Sequence, residues 1–168
     1  MFPKLPIFLL TCFTLFFFFS SCSQNEDQRK FERAAFSEPS GFTRTNANGQ
    51  VISEDPDDWR ISPFFQGLIE ISSYPAPNPV LSNDRIIMNL LATGVEPVSG
   101  IILYVYYRPN SIKVIPVDER SPLPPGLVTI NLNPLEIAEF IEQPAGLYRI
   151  ILLDRNENVI TYGDIKIE

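Results

Sequence analysis

The sequence predicts an all-β fold: an immunoglobulin-like antiparallel sandwich of about seven strands with one short helix, preceded by a signal peptide and a disordered tether. From Trp59 to the C-terminus, about 110 residues, short runs rich in Ile, Val, Leu and Tyr recur between Pro, Gly, Asn and Asp residues. This alternation of apolar runs and turn residues is typical of sandwich strands. The predicted strands are Gly67–Ser73, Arg85–Leu91, Ile101–Tyr107, Ile112–Val117, Leu127–Leu132, Leu147–Leu153 and Val159–Ile167.

Two of these strands carry further information. The run Ile101–Tyr107 is apolar on both faces, which predicts a central strand whose outer face is covered or used. In the last strand the apolar positions change parity between Tyr162 and Ile165. A β-bulge at Gly163–Asp164, permitted by the glycine, would turn these side chains to the same face, and we expect one there.

The segment between the fifth and sixth strands predicts a short helix. Its capping residues are Asn133 at the N-cap, Pro134 at the first helical position and Glu136 at the capping-box position. Three apolar residues then follow at helical spacing, namely Ile137, Phe140 and Ile141. We expect this stripe to plug an edge or end of a sheet.

The first 21 residues have the three parts of a secretory signal peptide. Lys4 supplies the positive charge, Ile7–Phe19 forms the apolar core, and Ser20 and Ser21 are small residues before the cleavage site. The apolar run is shorter than the roughly twenty residues that a membrane-spanning helix needs. We therefore expect a removable signal.

Phe19-Ser20-Ser21-Cys22 resembles the lipobox of bacterial lipoproteins, in which lipid is attached to the cysteine thiol before cleavage. The resemblance implies lipidation of Cys22 and stable membrane anchoring by its acyl chains. Ser23 follows, instead of the Asp that retains many lipoproteins in the inner membrane, which implies the outer membrane. The acidic pair Glu26-Asp27 resembles signals that place some lipoproteins on the cell surface, so the protein is expected on the periplasmic side or the surface.

Residues 22–58 are polar, with scattered Gly, Pro, Ser and Asn and no sustained apolar period. This composition predicts a flexible tether, with at most a helical turn or two over Gln28–Phe36. The predicted organisation is a signal peptide over residues 1–21, a tether over 22–58 and a sandwich domain over 59–168. We expect the fragment Trp59–Glu168 to fold without the tether.

The composition of the mature chain excludes several chemistries. Cys22 would be its only cysteine, and the sequence has no histidine. An internal disulfide, zinc sites built from Cys and His, and Ser-His or Cys-His catalysis are therefore excluded. Twelve basic residues would face twenty acidic ones, a formal charge of −8, which disfavours nucleic acid as a partner. We expect no cofactor, no metal and no nucleic-acid partner.

Tyr104, Tyr106 and Tyr107 form a candidate ligand platform, because aromatic side chains on a sheet face can bind a sugar or a peptide. Packing in the core explains the same residues equally well. Carboxylate pairs are also present at Asp118-Glu119 and at Glu139 with Glu142, although such acids are usually solvated.

Two acidic segments contain possible ligands for calcium. Asp154, Asn156 and Asn158 match the first, third and fifth ligand positions of a calcium loop, but the required Gly and bidentate Glu are missing. We expect that loop to be a hairpin turn. The cluster Glu54–Asp58 is expected to be a solvated end of the tether.

Two segments resemble the immunoglobulin-like C-terminal domains of secreted bacterial proteins, which include type IX sorting domains and flagellar-hook-capping-like modules. These segments are Ser73–Pro79, with its Tyr-Pro and Asn-Pro pairs, and the ending from Gly146-Leu147-Tyr148-Arg149 to Gly163–Ile167. The resemblance implies the fold and not the secretion route, since a type IX cargo would not need a lipobox.

These observations favour a protein that is not an enzyme. We expect a membrane-anchored lipoprotein that acts as a non-catalytic interaction or structural module of the bacterial cell envelope, with another envelope protein as its partner. One alternative is a lipoprotein that binds carbohydrate or peptide on the tyrosine-bearing face. A second alternative is an enzyme that uses carboxylates.

Overall fold

The computed structural model describes residues 26–168, and the strands after residue 58 form two facing sheets. The predicted signal peptide lies outside the described residues. The strands are β1 (Arg44–Thr45), β2 (Val51–Ser53), β3 (Arg60–Ile61), β4 (Ile69–Ala76), β5 (Ile86–Ala92), β6 (Ile101–Arg108), β7 (Ser111–Asp118), β8 (Gly126–Leu132), β9 (Gly146–Leu153) and β10 (Val159–Ile167). The helices are α1 (residues 26–35), a short 3-10 helix (Pro63–Phe65) and α2 (Pro134–Ile137).

The sheets are antiparallel and confirm the predicted sandwich. One has the order β3-β10-β9-β6-β7 and the other the order β4-β5-β8, while β1 and β2 form a separate hairpin. Each of the seven predicted strands overlaps an observed strand, from β4 to β10. The core lies between the two sheets, and its largest fully buried members include Met88, Leu90, Leu103, Ile130, Ile150 and Leu152.

The outer face of the five-stranded sheet is covered by α1, as the sequence of β6 predicts. Phe31 and Ala35, four residues apart on one face of α1, pack against Tyr106, Ile151 and Tyr162 of the sheet. The rings of Phe31 and Tyr162 lie 4.9 Å apart. Full burial of a phenylalanine side chain stabilises a fold by about 1.5–3 kcal/mol. A second apolar cluster therefore lies outside the sandwich core.

The region predicted as a tether is part of this domain from residue 26 onward. The helical turns predicted within Gln28–Phe36 are present, but the prediction of flexibility is wrong for residues 26–58. Few apolar residues are needed to order this segment, because they pack on a sheet face that the rest of the chain provides.

Asn78 fastens this N-terminal region to the last strand. Its side-chain amide donates to the carbonyls of Thr43, at 2.9 Å, and Asp164, at 3.0 Å. Its side-chain oxygen accepts from the amide of Lys166 at 2.9 Å, and its backbone pairs with Thr45. Asn78 is fully buried, so the Asn-Pro pair noted in the sequence has a structural role.

The bulge in β10 does not lie where the sequence predicts it. The register shifts between Val159 and Thr161, and pairing with β9 is regular at Gly163 and Asp164. Both faces of β10 are buried, because Tyr162 packs under α1 while Ile165 packs in the sandwich core. A change of parity in the apolar pattern therefore needs no bulge.

The predicted cap of α2 is confirmed, but the predicted stripe is wrong. Asn133 accepts a hydrogen bond from the amide of Leu135 at 3.0 Å, and Ile137 is buried in the core. The helix ends at Ile137, after four residues, and Ala138 is extended. Phe140 and Ile141 therefore leave the helical register, and both are exposed.

Candidate functional site

The structure separates the tyrosines of the predicted ligand platform, while Cys22 lies outside the described residues. Tyr104 is half-buried on the outer face of β6, and Tyr106 is buried on the same face under α1. Tyr107, the next residue along the strand, faces the sandwich core together with Leu103 and Val105, because successive side chains of a strand point to opposite faces. The three rings do not share one accessible face.

A buried cluster of charged side chains joins α1 to β9 and β10. The Arg149 guanidinium donates to the Asp164 carboxylate, at 3.0 Å for Nη2 and Oδ2, and to the carbonyl of Ala34 in α1 at 2.9 Å. The same guanidinium lies over the Tyr162 ring, 4.9 Å from its centre. These contacts close the C-terminal end of the helix against the sheet.

Asp58 belongs to the same cluster and is also buried. Its carboxylate accepts the amides of Thr43, at 2.6 Å, and Asp164, at 3.0 Å. Burial, with the negative charge of Asp164 nearby, raises the pKa of Asp58 to about 7. A perturbed carboxyl can mark a reactive site. Here the chain's own groups occupy its oxygens behind a closed surface, so we interpret the cluster as structural.

The loop of Asp154, Asn156 and Asn158 is a hairpin turn, as predicted. The Asp154 carboxylate accepts the amides of Asn156 and Asn158, both at 2.9 Å, and the hydroxyl of Ser99 at 3.3 Å. Its oxygens are thus used within the turn. Over residues 26–168, no group of three or more Cys, Asp or Glu side chains is arranged to hold a metal ion.

The predicted carboxylate pairs are engaged elsewhere. Asp118 forms an ion pair with Arg120, whose hydrogen bonds lower the pKa of Asp118. Glu139 forms an ion pair with Arg108 at 2.8 Å. In each predicted pair, one carboxylate is therefore committed to a neighbouring cation.

The feature best suited to recognition is residues 138–145, which we name the Phe140 loop. It connects α2 to β9 at one end of the sandwich. Phe140 is 61 % exposed and Ile141 is 65 % exposed, although both are large and apolar. Adjacent exposed residues of this kind are more informative than scattered ones, because apolar patches often mark interaction sites.

Hydrogen bonds from two tyrosines hold the Phe140 loop at both ends. The Tyr107 hydroxyl donates to the carbonyl of Ile137 at 2.8 Å, and the Tyr148 hydroxyl donates to the carbonyl of Pro144 at 2.9 Å. The two rings meet edge to face, with their centres 6.2 Å apart. Tyr107, a member of the predicted platform, therefore supports the loop from below.

The hydroxyl groups of Tyr107 and Tyr148 remain protonated at physiological pH. Burial, with Glu139 and Tyr148 as lesser causes, raises the pKa of Tyr107 to about 12, and burial also raises the pKa of Tyr148. A bond within the loop, from the amide of Gln143 to the carbonyl of Phe140 at 3.2 Å, and the ion pair of Glu139 fix it further. A loop held in this way loses little conformational entropy on binding.

Sequence reasoning missed the exposure of Phe140 and Ile141 because their spacing fits a helix. Pro144, with Gly146 just beyond, indicates only that a helix cannot continue past Gln143. Such a helix could still include Phe140 and Ile141, so the local sequence carries no signal that it ends at Ile137.

Comparisons with known proteins supply no family for this chain: it matches no protein-family model, and a search of curated proteins finds no relative. Among the described residues, no helix is long and apolar enough to cross a membrane.

Proposed function

We propose that this protein is a lipid-anchored, non-catalytic interaction module of the bacterial outer membrane. In this proposal the signal peptide is removed, Cys22 carries the lipid, and the folded domain contacts another envelope protein. The observation that supports contact is the Phe140 loop, because it presents two large apolar side chains to solvent on a rigid support.

The Phe140 loop has the properties of an interface centre. Aromatic side chains are enriched among the residues that dominate binding energy, and apolar anchors bind best when they are already ordered. Glu139 is paired with Arg108, whereas Glu142 is exposed beside Ile141, so a negative charge borders the apolar anchor. A partner with an apolar pocket and a basic residue at its rim would complement this arrangement.

The proposal is tested by recovering the tagged protein from detergent-solubilised envelopes. We expect a stoichiometric protein partner that is lost from the Phe140→Ser and Ile141→Ser variants. Both side chains are exposed, so each substitution should leave the free energy of unfolding within about 0.5 kcal/mol of the parent. Leu81→Ser, an exposed apolar residue in the loop between β4 and β5, is the matched control and should retain the partner.

Anchoring is tested separately with Cys22→Ser, which should release the protein from membranes. Membrane retention unchanged by this substitution would refute the lipid anchor. Partner recovery unchanged by the Phe140 and Ile141 substitutions would refute the contact site and leave anchoring standing.

A further inference from the structure

We infer that the end of the sandwich at which residue 26 lies faces the lipid surface, and that Phe64 and Val95 contact it while the Phe140 loop points away. This inference rests on the proposed lipidation of Cys22 and adds an orientation and a second binding surface to it. The partner at this second surface is the lipid headgroup layer.

The N-terminal end of the described part of α1 is fixed at one end of the sandwich. The side-chain oxygen of Gln28, in the first turns of α1, accepts the amide of Phe64 in the 3-10 helix at 3.1 Å. The far turn of α1 lies beside Arg149, toward the opposite end of β9. α1 therefore runs along the sheet from the 3-10 helix toward the start of β9.

The loops that meet at this end form what we name the near end. They are the 3-10 helix, the loop between β5 and β6, the loop between β7 and β8, and the turn between β9 and β10. Residues from all four line one groove of about 350 Å³, which confirms that they are neighbours. The Phe140 loop and the turn between β6 and β7 lie at the far end of the same strands.

Few residues separate the proposed anchor from the described part of α1. Cys22 precedes residue 26 by four positions, and four extended residues span at most about 14 Å. An eight-residue strand such as β9 is about 26 Å long. The lipid can therefore hold the near end at the membrane surface, whereas the far end lies a full strand length beyond it.

The near end exposes two large apolar side chains. Phe64 is 60 % exposed, although its backbone is held by Gln28, and Val95 in the loop between β5 and β6 is 75 % exposed. Aromatic and aliphatic side chains at a membrane interface add buried apolar area to the attachment made by a lipid chain. A domain that is anchored close to its near end and also contacts the lipid through Phe64 and Val95 has one favoured orientation relative to the membrane.

The test uses the mature lipidated protein in vesicles of phosphatidylcholine and phosphatidylglycerol that contain a lipid with a spin label on its headgroup. A thiol-reactive fluorophore is attached to Val95→Cys, Val114→Cys or Ile141→Cys, three exposed positions at the near end, the middle and the far end. Cys22 carries a thioether in the proposed protein, so each introduced cysteine is the free thiol. Quenching should be strongest at position 95, weaker at 114 and absent at 141.

A second variant tests the contact itself. Phe64→Ser, combined with the label at position 95, should reduce quenching there, while Ile87→Ser on the outer face of the three-stranded sheet should not. Equal quenching at the three labelled positions, or the reverse order, would overturn the inference while leaving the anchor intact. Labelling of the unsubstituted protein at Cys22 would instead show that the anchor is absent, and both proposals would then fail.

Discussion

Replacing Gly163 by alanine should destabilise the domain through one contact, with the indole of Trp59. A Cβ atom at position 163 would overlap Cε2 of that ring and lie 2.6 Å from its Cδ2. Trp59 is buried, and β10 is held between β3 and β9, so neither side can move away at low cost. Overpacking of this kind costs about 1–3 kcal/mol, and the gain of about 0.5–1 kcal/mol expected for Gly→Ala in a strand offsets only part of it.

The measurement is urea unfolding of the soluble chain from residue 26, alone and with Trp59→Leu. Trp59→Leu destabilises the core by itself, but it removes the ring that the new methyl group would meet. In that background Gly163→Ala should be neutral or stabilising, so the two substitutions should not be additive. An equal cost in both backgrounds would refute the reasoning and would show that the glycine is required by the backbone, as a bulge at Gly163–Asp164 would require.

Three further predictions concern the attachment of the N-terminal region. Arg149→Ala should cost about 3–5 kcal/mol in urea unfolding, because it leaves the Asp164 carboxylate buried without its cation; a cost below about 1 kcal/mol would contradict this. The pKa of Asp58 is raised to about 7 in the folded state, so its contribution to stability is complete below pH 3.8 and is lost as pH rises through 7. The Asp58→Asn variant should lack the fall in unfolding free energy that ionisation of Asp58 causes as pH rises toward 7. A variant with the same pH profile as the parent would contradict this prediction. The fragment Trp59–Glu168 should melt below the chain from residue 26, as followed by circular dichroism, since it exposes the apolar surface under α1; equal melting temperatures would show that α1 adds no stability to the sandwich.

The strands were predictable because each is a local pattern bounded by turn residues. β6 illustrates this best, since its apolar character on both faces indicates a covered outer surface without specifying the element that covers it. The cap of α2 was predictable for the same reason, because Asn133 and Pro134 act within one helical turn.

The attachment of residues 26–58 was not predictable, because its determinants are distant in sequence. Two apolar residues, Phe31 and Ala35, are too few to indicate a packed helix. The sequence around Arg149 indicates only a strand, and that around Asn78 only a turn. Arg149 binds Ala34, 115 residues away, and Asn78 binds Thr43, 35 residues away. Local composition identifies this segment as polar but contains no information about the sheet on which it packs.

The docking of residues 26–58 changes what the proposed lipid anchor would do. A flexible tether over residues 22–58 would have a root-mean-square end-to-end distance of about 33 Å and would allow the domain any orientation relative to the membrane. Residue 26 lies four positions after Cys22 and therefore at most about 14 Å from it, and the contact of Gln28 with Phe64 fixes which end of the domain adjoins the anchor. Cys22 would then determine orientation as well as location, because the Phe140 loop lies about one strand length from the end that receives the link. A partner would then bind the Phe140 loop only if its own binding site lies at about this distance from the membrane. Inserting residues between Cys22 and residue 26 should therefore weaken partner binding, although the Phe140 loop and the near end are unchanged.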